Sequence, residues 1–348
     1  NNVQGASDAG LIPMVYPDYQ PVADPAARAR FEDLWQTKLD SEPGLTVVEI
    51  TDAIHEGTIK GVYIMGENPA MSDPDLAHTR TALAKLRHLV VQDIFLTETA
   101  CYADVILPAT AWPEKDGTVT NSNRQVQMGR QAVPPPGSAK PDLWIIGEMA
   151  KGLGLDWHYH GPEPVFEEMR LGMDSIAGMS WQRLLAEDAI TYPCHGPNDP
   201  GQVVMFGDGF PTPNGRGRFV PCDLTDPDEL PDRDYPMVLL TGRLLEHWHT
   251  GAITRRASIL DQLEPEAVAY LSPADLEEMD LSAGDSIHVK SRRGEIQLRT
   301  RADAGVQQGT VFIPFCFAEA AANLLTNAAL DPDGKIAEVK FCAVRISG

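Results

Sequence analysis

Apolar residues in the first third of the chain recur in patterns that predict alternating helices and strands. Pro25 to Leu39 and Thr46 to His55 carry apolar residues at three- and four-residue spacing, which is typical of helices with one buried face. Ser72 is expected to cap a further helix over Asp73 to Leu86. Short apolar runs predict buried strands at Gly61–Met65, His88–Gln92 and Asp104–Leu107. Strands that alternate with helices indicate an α/β domain with a doubly wound parallel sheet.

Polar residues follow two of these strands. Gly66, Glu67 and Asn68 come after the first strand, and Gln92 and Asp93 close the second. Ligands of parallel sheets bind at the carboxyl ends of the strands, so these residues are candidates for a binding site. A carboxylate there can accept two hydrogen bonds from a guanine edge or a ribose diol, whereas it repels phosphate. A helix cap or a solvated turn is the alternative explanation for each of them.

The middle of the chain is helical in pattern and then rich in turns. Pro141–Leu153, Pro164–Leu171 and Trp181–Asp188 are predicted helices. Phe210 to Phe219 is predicted to form a β-hairpin with Asn214-Gly215 at its turn.

From residue 223 onward the pattern changes to β. The acidic, proline-rich stretch Asp223–Pro236 is the best candidate for a linker. Alternating or apolar runs predict strands at Met237–Leu240, Ala267–Leu271, Asp285–Ser291, Gly294–Arg301 and Thr310–Pro314. Ser272 is expected to cap a short helix, and Phe315 to Thr326 is predicted to be another. By itself this pattern predicts a β-rich domain with two helices.

Composition and charge narrow the class of protein. The chain has 348 residues and a formal net charge of −22, which argues against nucleic acid or an anionic membrane as a partner. No apolar run approaches the roughly 20 residues of a membrane span, and no signal peptide is evident, so a cytoplasmic location is expected. Five cysteines without any C-x-x-C pair argue against a disulfide framework, and against an iron–sulfur or zinc site within this chain.

One dense polar and aromatic cluster, Thr241-Gly-Arg-Leu-Leu-Glu-His-Trp-His-Thr250, follows an apolar strand. Backbone N–H groups, a hydroxyl and a guanidinium near one strand end suit an anionic, hydrogen-bonding ligand. A capped turn with half-buried His and Trp explains the same residues without any ligand. Two His at this spacing with no nearby Cys are weak evidence for a metal site.

The string TGRLLEHWHTGAITRR resembles the signature of the molybdopterin-dependent oxidoreductase (DMSO reductase-type) family, in the branch that holds nitrate reductases and formate dehydrogenases. NNVQGASD, GENPAMSDPDLAH and QDIFLTETACYADVILPATAWPEKDG are most similar to the catalytic α subunit of soluble, NAD-dependent formate dehydrogenases. The resemblance implies that the chain is the C-terminal portion of such a subunit. It also implies a double-psi β-barrel over 237–348, preceded by an incomplete α/β domain over 1–222 and a linker over 223–236.

The cofactor that this resemblance implies is bis(molybdopterin guanine dinucleotide) with molybdenum or tungsten. Lys115 would contact it as a cation, Phe315 would pack against the pterin, and Asn323 and Lys340 would bind its polar edge or phosphate. By residue type alone, Asn323 and Lys340 are equally well explained as surface residues. The full set of cofactor-binding residues expected is Gly66, Glu67, Asn68, Gln92, Asp93, Lys115, Asp142, Thr241, Gly242, Arg243, Leu244, Leu245, Glu246, His247, Trp248, His249, Thr250, Phe315, Asn323 and Lys340.

The resemblance further implies oxidation of formate to CO2, with electrons leaving through iron–sulfur clusters in the N-terminal part of the subunit towards NAD on a diaphorase-type partner. No catalytic or metal-ligating residue is identifiable in this chain, which alone is expected to be inactive. A nitrate reductase of the same family is the alternative enzyme. A catalytically silent, cofactor-binding or structural subunit is the alternative from another class.

Overall fold

Two units, each built from two separate stretches of the chain, make up the computed structural model, which describes residues 2–348. The first unit contains residues up to Leu45 together with Pro108–Cys222, and the second contains Thr46–Leu107 together with Asp223–Gly348. Residues 46–107, which the sequence pattern assigns to the first domain, therefore group with the C-terminal strands. No helix within residues 2–348 is long and apolar enough to cross a membrane.

The first unit contains short strands and helices around an antiparallel sheet. Its elements are α1 (Val3–Asp8), β1 (Val15–Tyr16), β2 (Gln20–Pro21), α2 (Pro25–Trp35), β6 (Gly117–Thr120), β7 (Gln125–Gly129), α6 (Asp142–Gly152), α7 (Pro162–Gly172), α8 (Trp181–Glu187) and β8 (Ala189–Thr191). Strand β7 lies between β6 and β8 and pairs antiparallel with both. Phe166, Met179 and Leu184 are buried in the core beside this sheet. The sequence pattern did not predict these strands, because each has only two to five residues, too few to show a period.

The predicted hairpin over Phe210–Phe219 is wrong. This stretch contains no strand, although the backbone N–H of Phe210 does donate to the carbonyl of Gly215. Pro211 and Pro213 lack backbone N–H donors, so two rungs of an antiparallel ladder are missing on one arm. The result is an isolated turn.

The second unit begins with a small sheet flanked by helices. Its elements are α3 (Val47–His55), β3 (Gly61–Met65), α4 (Pro69–Ser72), α5 (Leu76–Lys85), β4 (His88–Asp93) and β5 (Val105–Pro108). The strands lie in chain order, and β3 pairs parallel with β4 from Gly61 opposite His88 to Met65 opposite Gln92. This pairing puts the carboxyl ends of β3 and β4 side by side.

Ser72 does not cap the helix as predicted. It is the last residue of α4, and the helix α5 begins after Asp75, whose side chain accepts a hydrogen bond from the backbone N–H of His78 at 3.4 Å. Pro69 starts α4 instead, since a proline at the first helical position needs no N–H partner.

A closed barrel completes the second unit. Its elements are β9 (Met237–Gly242), α9 (Ser258–Leu263), β10 (Val268–Leu271), α10 (Pro273–Glu278), β11 (Ser286–Lys290), β12 (Glu295–Ala302), β13 (Thr310–Pro314) and β14 (Cys342–Ser347). Around the barrel the order is β10-β12-β11-β14-β9-β13. The pairs β9–β13 and β10–β12 are parallel, and the antiparallel pairs include β11–β12 and β14–β9. Leu239, Ile287, Val289, Val311 and Ile313 are fully buried inside, and Ile287 and Val289 alternate with polar neighbours as the sequence pattern predicts.

The predicted helix over Phe315–Thr326 is wrong as well. Two short 3₁₀ turns, Ala318–Ala320 and Ala322–Leu324, occupy this stretch, with extended backbone at Phe317 and Ala321. Phe317 packs into the barrel core, whereas Ala321 packs against Met71 and Leu76 of the small sheet region. A stretch that is buried on opposite sides follows the surfaces around it rather than a single helical face.

The predicted linker is attached to the barrel. Glu229 accepts hydrogen bonds from both terminal nitrogens of Arg293, at 2.6 and 2.9 Å, and from the backbone N–H of Ala343 at 2.9 Å. Asp232 accepts a bond of 2.5 Å from Arg292, whose guanidinium lies over the Tyr235 ring. Acidic residues of the predicted linker therefore neutralise arginines of the barrel.

Candidate cofactor-binding site

The carboxyl ends of β3 and β4 form one edge of the candidate site. The backbone N–H of Gly66 donates to the carbonyl of Gln92 at 2.9 Å, which holds the two strand ends together. Gly66 has a φ of +65°, and a side chain at this position would point into open space. Gln92 is fully buried, and its side-chain oxygen accepts a hydrogen bond from the hydroxyl of Tyr63. Gly66 therefore leaves space for a ligand at this edge, whereas Gln92 helps to hold the ends of β3 and β4 together.

Carboxyl groups make this edge acidic. Partial burial raises the pKa of Glu67, and the nearby Asp93 carboxylate adds to the rise. Asp73, in the turn between α4 and α5, is buried, and this burial raises its pKa to about 7 with a further contribution from Glu67. The sequence analysis missed Asp73 because it reads as an ordinary first residue of a helix. A carboxyl group with a pKa of about 7, such as that of Asp73, can both donate and accept hydrogen bonds near neutrality.

Asn68 is the central support of the adjoining loop. Its side-chain nitrogen donates to Glu98 at 2.8 Å, and its side-chain oxygen accepts from the backbone N–H and the hydroxyl of Thr99 at 3.1 and 2.8 Å. The hydroxyl of Thr99 in turn accepts from the backbone N–H of Ala70 at 3.0 Å. The polar atoms of Asn68 are therefore already bonded within the protein, and its predicted contact with the cofactor stays a prediction.

Arg243 lies at the end of β9, where three chain segments meet. Its guanidinium lies 5.5 Å from the centre of the Phe315 ring, and His249 packs edge-on against the same ring at 5.2 Å. The backbone N–H of Phe315 donates to the carbonyl of Gly242 at 3.2 Å, which fixes this ring beside the arginine. Burial lowers the pKa of His249, and the charge of Arg243 lowers it further. Within residues 2–348, Arg243 has no acidic partner at ion-pair distance.

The rest of the Thr241–Thr250 segment divides by burial. Thr241 is buried and donates to the carbonyl of Val339 at 2.7 Å, while Thr250 is also buried and Leu244 packs against the barrel core. Glu246 is half-buried. Leu245 and Trp248 are exposed, at 97% and 54% of their full surface, so their predicted contacts require a ligand or another chain segment above them.

His247 combines deep burial with an unused polar atom. Its Nε2 lies 2.7 Å from the carbonyl of Glu264, so Nε2 carries the N–H that donates this bond. Its Nδ1 is buried and has no hydrogen-bond partner within the described protein. Phe317 packs edge-on against the same ring at 5.7 Å.

Asn323 and Lys340 occupy different environments. Asn323 is buried, and its side-chain nitrogen donates to the carbonyls of Ser72 and Asp73 at 2.8 and 3.2 Å, so both of its N–H donors are used within the protein. Lys340 is exposed and follows Val339, the residue whose carbonyl binds Thr241. In the part of the chain that the structure describes, Lys340 forms no ion pair.

Lys115 and Asp142 belong to the first unit and pair with each other. The ammonium of Lys115 contacts the carboxylate of Asp142 and also donates to the carbonyl of Thr110 at 3.0 Å. The structure brings these two predicted residues together.

Two family models match the chain. The model for molybdopterin oxidoreductase matches residues 1–152, and the model for the molybdopterin dinucleotide binding domain matches residues 237–343. The chain belongs to the molybdopterin oxidoreductase (DMSO reductase-type) family. The resemblance seen in the sequence is thereby confirmed.

Individual relatives agree with this family. The chain is 46% identical over 348 residues to the F420-dependent formate dehydrogenase subunit alpha of Methanocaldococcus jannaschii, which covers 99% of this chain and 51% of that protein. It is 35% identical over 351 residues to formate dehydrogenase H of Escherichia coli, with 99% and 49% covered. The chain thus spans about half the length of the curated relatives it matches.

A solved structure supports the fold. Acetylene hydratase from Pelobacter acetylenicus superposes with a TM-score of 0.73 at 19% identity, over 97% of this chain and 51% of that one. At this identity the likeness shows the fold alone.

Two buried polar atoms without partners in the described residues indicate that the residues present fit a molybdopterin dinucleotide. In each of the two predicted binding segments of the second unit, one buried polar atom lacks a partner within the described protein: Oγ1 of Thr97 and Nδ1 of His247. A buried polar atom without a partner costs about 1–3 kcal/mol, so a ligand or an ordered water is expected to satisfy it. Arg243 and Lys340 are exposed cations that form no ion pair within residues 2–348.

Thr97 is a residue that the sequence analysis overlooked. It lies in the quoted run QDIFLTETA, but threonine in a polar turn gives no sign of burial. No group of three or more His, Cys, Asp or Glu side chains able to hold a metal occurs in residues 2–348.

Proposed function

We propose that this chain is the cofactor-binding C-terminal portion of the catalytic α subunit of a formate dehydrogenase. The observation that carries the proposal is the arrangement at the end of β9, where Arg243 lies over Phe315 and beside His249. An exposed cation on an aromatic ring, next to a largely neutral imidazole, suits a ligand that is both flat and anionic. Molybdopterin dinucleotides have both properties.

The proposed contacts assign different parts of the cofactor to different residues. Arg243 and Lys340 would bind phosphate, Phe315 would pack on the pterin, and Glu67 and Asp93 would accept from a guanine edge or ribose diol. We propose that the barrel has a double-psi topology and that the small sheet is part of a doubly wound parallel sheet. The family match supports both proposals. We also propose that the family's domains divide the chain into an α/β domain over 1–222, a linker over 223–236 and a barrel domain over 237–348.

When bound, the molybdenum or tungsten of this cofactor supplies the two-electron chemistry that oxidises formate to CO2. The residues of this chain bind and orient the cofactor and keep water away from it. We assign none of them to the chemical step.

The route of the electrons is a further part of the proposal. Iron–sulfur clusters in the N-terminal part of the subunit would pass them to a diaphorase-type partner and NAD, in the cytoplasm. The relative from Methanocaldococcus jannaschii is F420-dependent, which makes F420 the competing acceptor.

Two experiments on the protein isolated from its source test the proposal. The first is the denatured mass of the polypeptide: a value well above 38.0 kDa supports a longer subunit, and a value near 38.0 kDa supports a separate, catalytically silent module. The second compares formate-dependent reduction of NAD, F420 or a dye with nitrate-dependent oxidation of a reduced dye. Turnover of nitrate without turnover of formate would replace the proposal by a nitrate reductase.

Metal analysis completes the test. One molybdenum or tungsten and two molybdopterin guanine dinucleotides per subunit are the expected contents. A purified, folded subunit that contains neither would contradict the cofactor assignment regardless of which substrate is offered.

A further inference from the structure

Two consecutive arginines follow the Thr241–Thr250 segment and have different partners. Arg255 binds within the barrel region: it bonds Asp261 at 2.6 Å and Glu319 at 3.0 Å, and its guanidinium lies 4.6 Å from the centre of the Phe317 ring. Arg256 instead reaches the loop after β4. One of its terminal nitrogens donates to the carbonyl of Leu96 at 2.9 Å.

The contact of Arg256 with this loop has a second component. Its guanidinium carbon lies 5.2 Å from the centre of the Phe95 ring, and its other terminal nitrogen donates to the carbonyl of Ala252 at 2.5 Å. The planar guanidinium thus bonds its own turn and the loop at once while it stacks on a ring. A lysine ammonium has no planar fork and cannot reproduce all three contacts.

The loop that Arg256 holds includes one of the predicted cofactor-binding residues. It starts at Asp93, the last residue of β4, and continues to Thr97, whose buried hydroxyl has no partner in the described protein. Phe95 and Leu96, at the tip, are exposed. An exposed tip between two candidate ligand groups has few packing contacts, so an external bond has a large influence on its mobility.

We propose that Arg256 is a positioning residue, which joins the turn at Ala252, directly after the Thr241–Thr250 segment, to the loop Asp93–Thr97 and so holds the two candidate binding segments together. The inference rests on the proposed function. Its particular content is that Arg256 acts through its contacts with Phe95 and Leu96 and not as a cation that binds the cofactor.

The test uses the full-length holoenzyme with the variants Arg256→Ala, Arg256→Lys, Phe95→Ala and the double variant R256A/F95A. Two quantities are measured: the rate at which metal is lost per polypeptide after desalting, and hydrogen exchange of the backbone amides of residues 94–97. Arg299→Ala is the matched control, because Arg299 is an exposed arginine of the barrel whose ion-pair partner is Glu266, at 3.3 Å.

We expect Arg256→Ala and Phe95→Ala each to speed metal loss roughly tenfold, as the loss of one charge-assisted contact predicts. The double variant should be little worse than Arg256→Ala alone, since Arg256→Ala already removes the contact with the Phe95 ring. Arg256→Lys should resemble Arg256→Ala. Exchange in residues 94–97 should rise in all of these variants, while the melting temperature and the Arg299→Ala control stay close to wild type.

Several results would overturn the inference. Wild-type metal retention in Arg256→Lys together with additive effects of R256A and F95A would mean that charge, not the loop, is what matters. Unchanged hydrogen exchange in residues 94–97 would mean that Arg256 does not hold this loop in place. A wild-type subunit without any metal or pterin would refute the proposed function and with it the role in retention, whereas a loaded enzyme with unaffected variants would refute the role of Arg256 alone.

Discussion

At the scale of single residues, the candidate site contains two kinds of polar side chain. Asn68 and Asn323 have bonded their amide groups to neighbouring loops, whereas Arg243 and Lys340 are exposed and form no ion pair within residues 2–348. Both kinds have residue types that suit a nucleotide ligand. The difference between support and contact depends on the partner of each atom, which residue type does not specify.

Arg243 is expected to matter for the cofactor and not for folding. In the full-length enzyme, Arg243→Ala should lower the metal and pterin content by roughly tenfold or more, because a charge-assisted bond to phosphate contributes about 1.5–3 kcal/mol. The melting temperature of the cofactor-free protein should be unchanged. Wild-type cofactor content in a folded Arg243→Ala protein would exclude the role.

Asn323 is expected to matter for folding whether or not cofactor is present. Asn323→Ala leaves the carbonyls of Ser72 and Asp73 without their donor and should lower the free energy of unfolding by about 1–3 kcal/mol. Urea denaturation of the cofactor-free protein measures this loss. Asn327→Ala is the comparison: that side chain bonds Glu338 at 3.2 Å and is only half-buried, so the loss should be smaller.

Asp73 is expected to make stability depend on pH. Its pKa of about 7 in the folded protein lies above the ordinary value of 3.8, so the native state holds a proton that the unfolded state has released. Stability from this group is therefore complete at about pH 4 and is lost as the pH rises to about 7, by as much as about 4 kcal/mol. Asp73→Asn should gain stability relative to wild type between pH 5 and pH 8 in urea denaturation. Parallel pH profiles would contradict the assignment.

At the scale of elements, strand ends and the loops after them form the site. The parallel pair β3–β4 puts Gly66 beside Gln92, and the parallel pair β9–β13 puts Gly242 beside Pro314. All four strands coincide with apolar runs that the sequence shows, whereas their pairing is seen only in the structure. Helices contribute little directly, since α4 and α5 mainly support the loop that contains Asp73.

Replacing Gly66 or Gly251, which lie next to candidate binding segments, by alanine should lower the stability by different amounts. Gly66 and Gly251 both have positive φ, but an added carbon at Gly66 meets open space while one at Gly251 comes within 2.6 Å of the backbone oxygen of Cys316. Gly66→Ala should cost about 1 kcal/mol of stability, and Gly251→Ala should cost at least about 1–3 kcal/mol more. Thermal unfolding of both variants decides this. Equal losses would show that backbone conformation alone sets the cost.

At the scale of the whole molecule, the protein has a net charge of −22 but exposes positive side chains near the end of β9. Many arginines are neutralised by acids, as Arg293 is by Glu229, so the exposed cations near the end of β9 stand out more than composition indicates. The two units divide the chain at positions that do not follow its order, because residues 46–107 pack with the barrel strands.

The long irregular segment before the barrel is expected to be the first site of proteolysis. Arg216 and Arg218 are exposed in a stretch without helix or strand, so trypsin should cleave the 348-residue polypeptide there before any other site. Mass spectrometry of early fragments identifies the cut. The double variant R216Q/R218Q should slow the first cleavage, and an unchanged first fragment would contradict the expectation.

By itself, the sequence determined the family, the presence of a parallel sheet with helices, and most strands of the barrel. These depend on local features: hydrophobic period, strand length and motifs such as TGRLLEHWHT. The short strands β6 to β8 and the 3₁₀ turns after Phe315 were not predicted, since pairing partners and two-sided burial decide them, and neither is local.

Only the tertiary structure decided which candidate residues are supports and which are open to a ligand. Asn323 bonds residues about 250 positions away in the chain, Arg256 reaches Leu96 over 160 positions, and the buried atoms of Thr97 and His247 are identified by what surrounds them. A hydrogen bond depends on distance and direction in space, and chain separation carries no information about either. Sequence therefore determines the chemistry a side chain has, and folding determines whether that chemistry is already used.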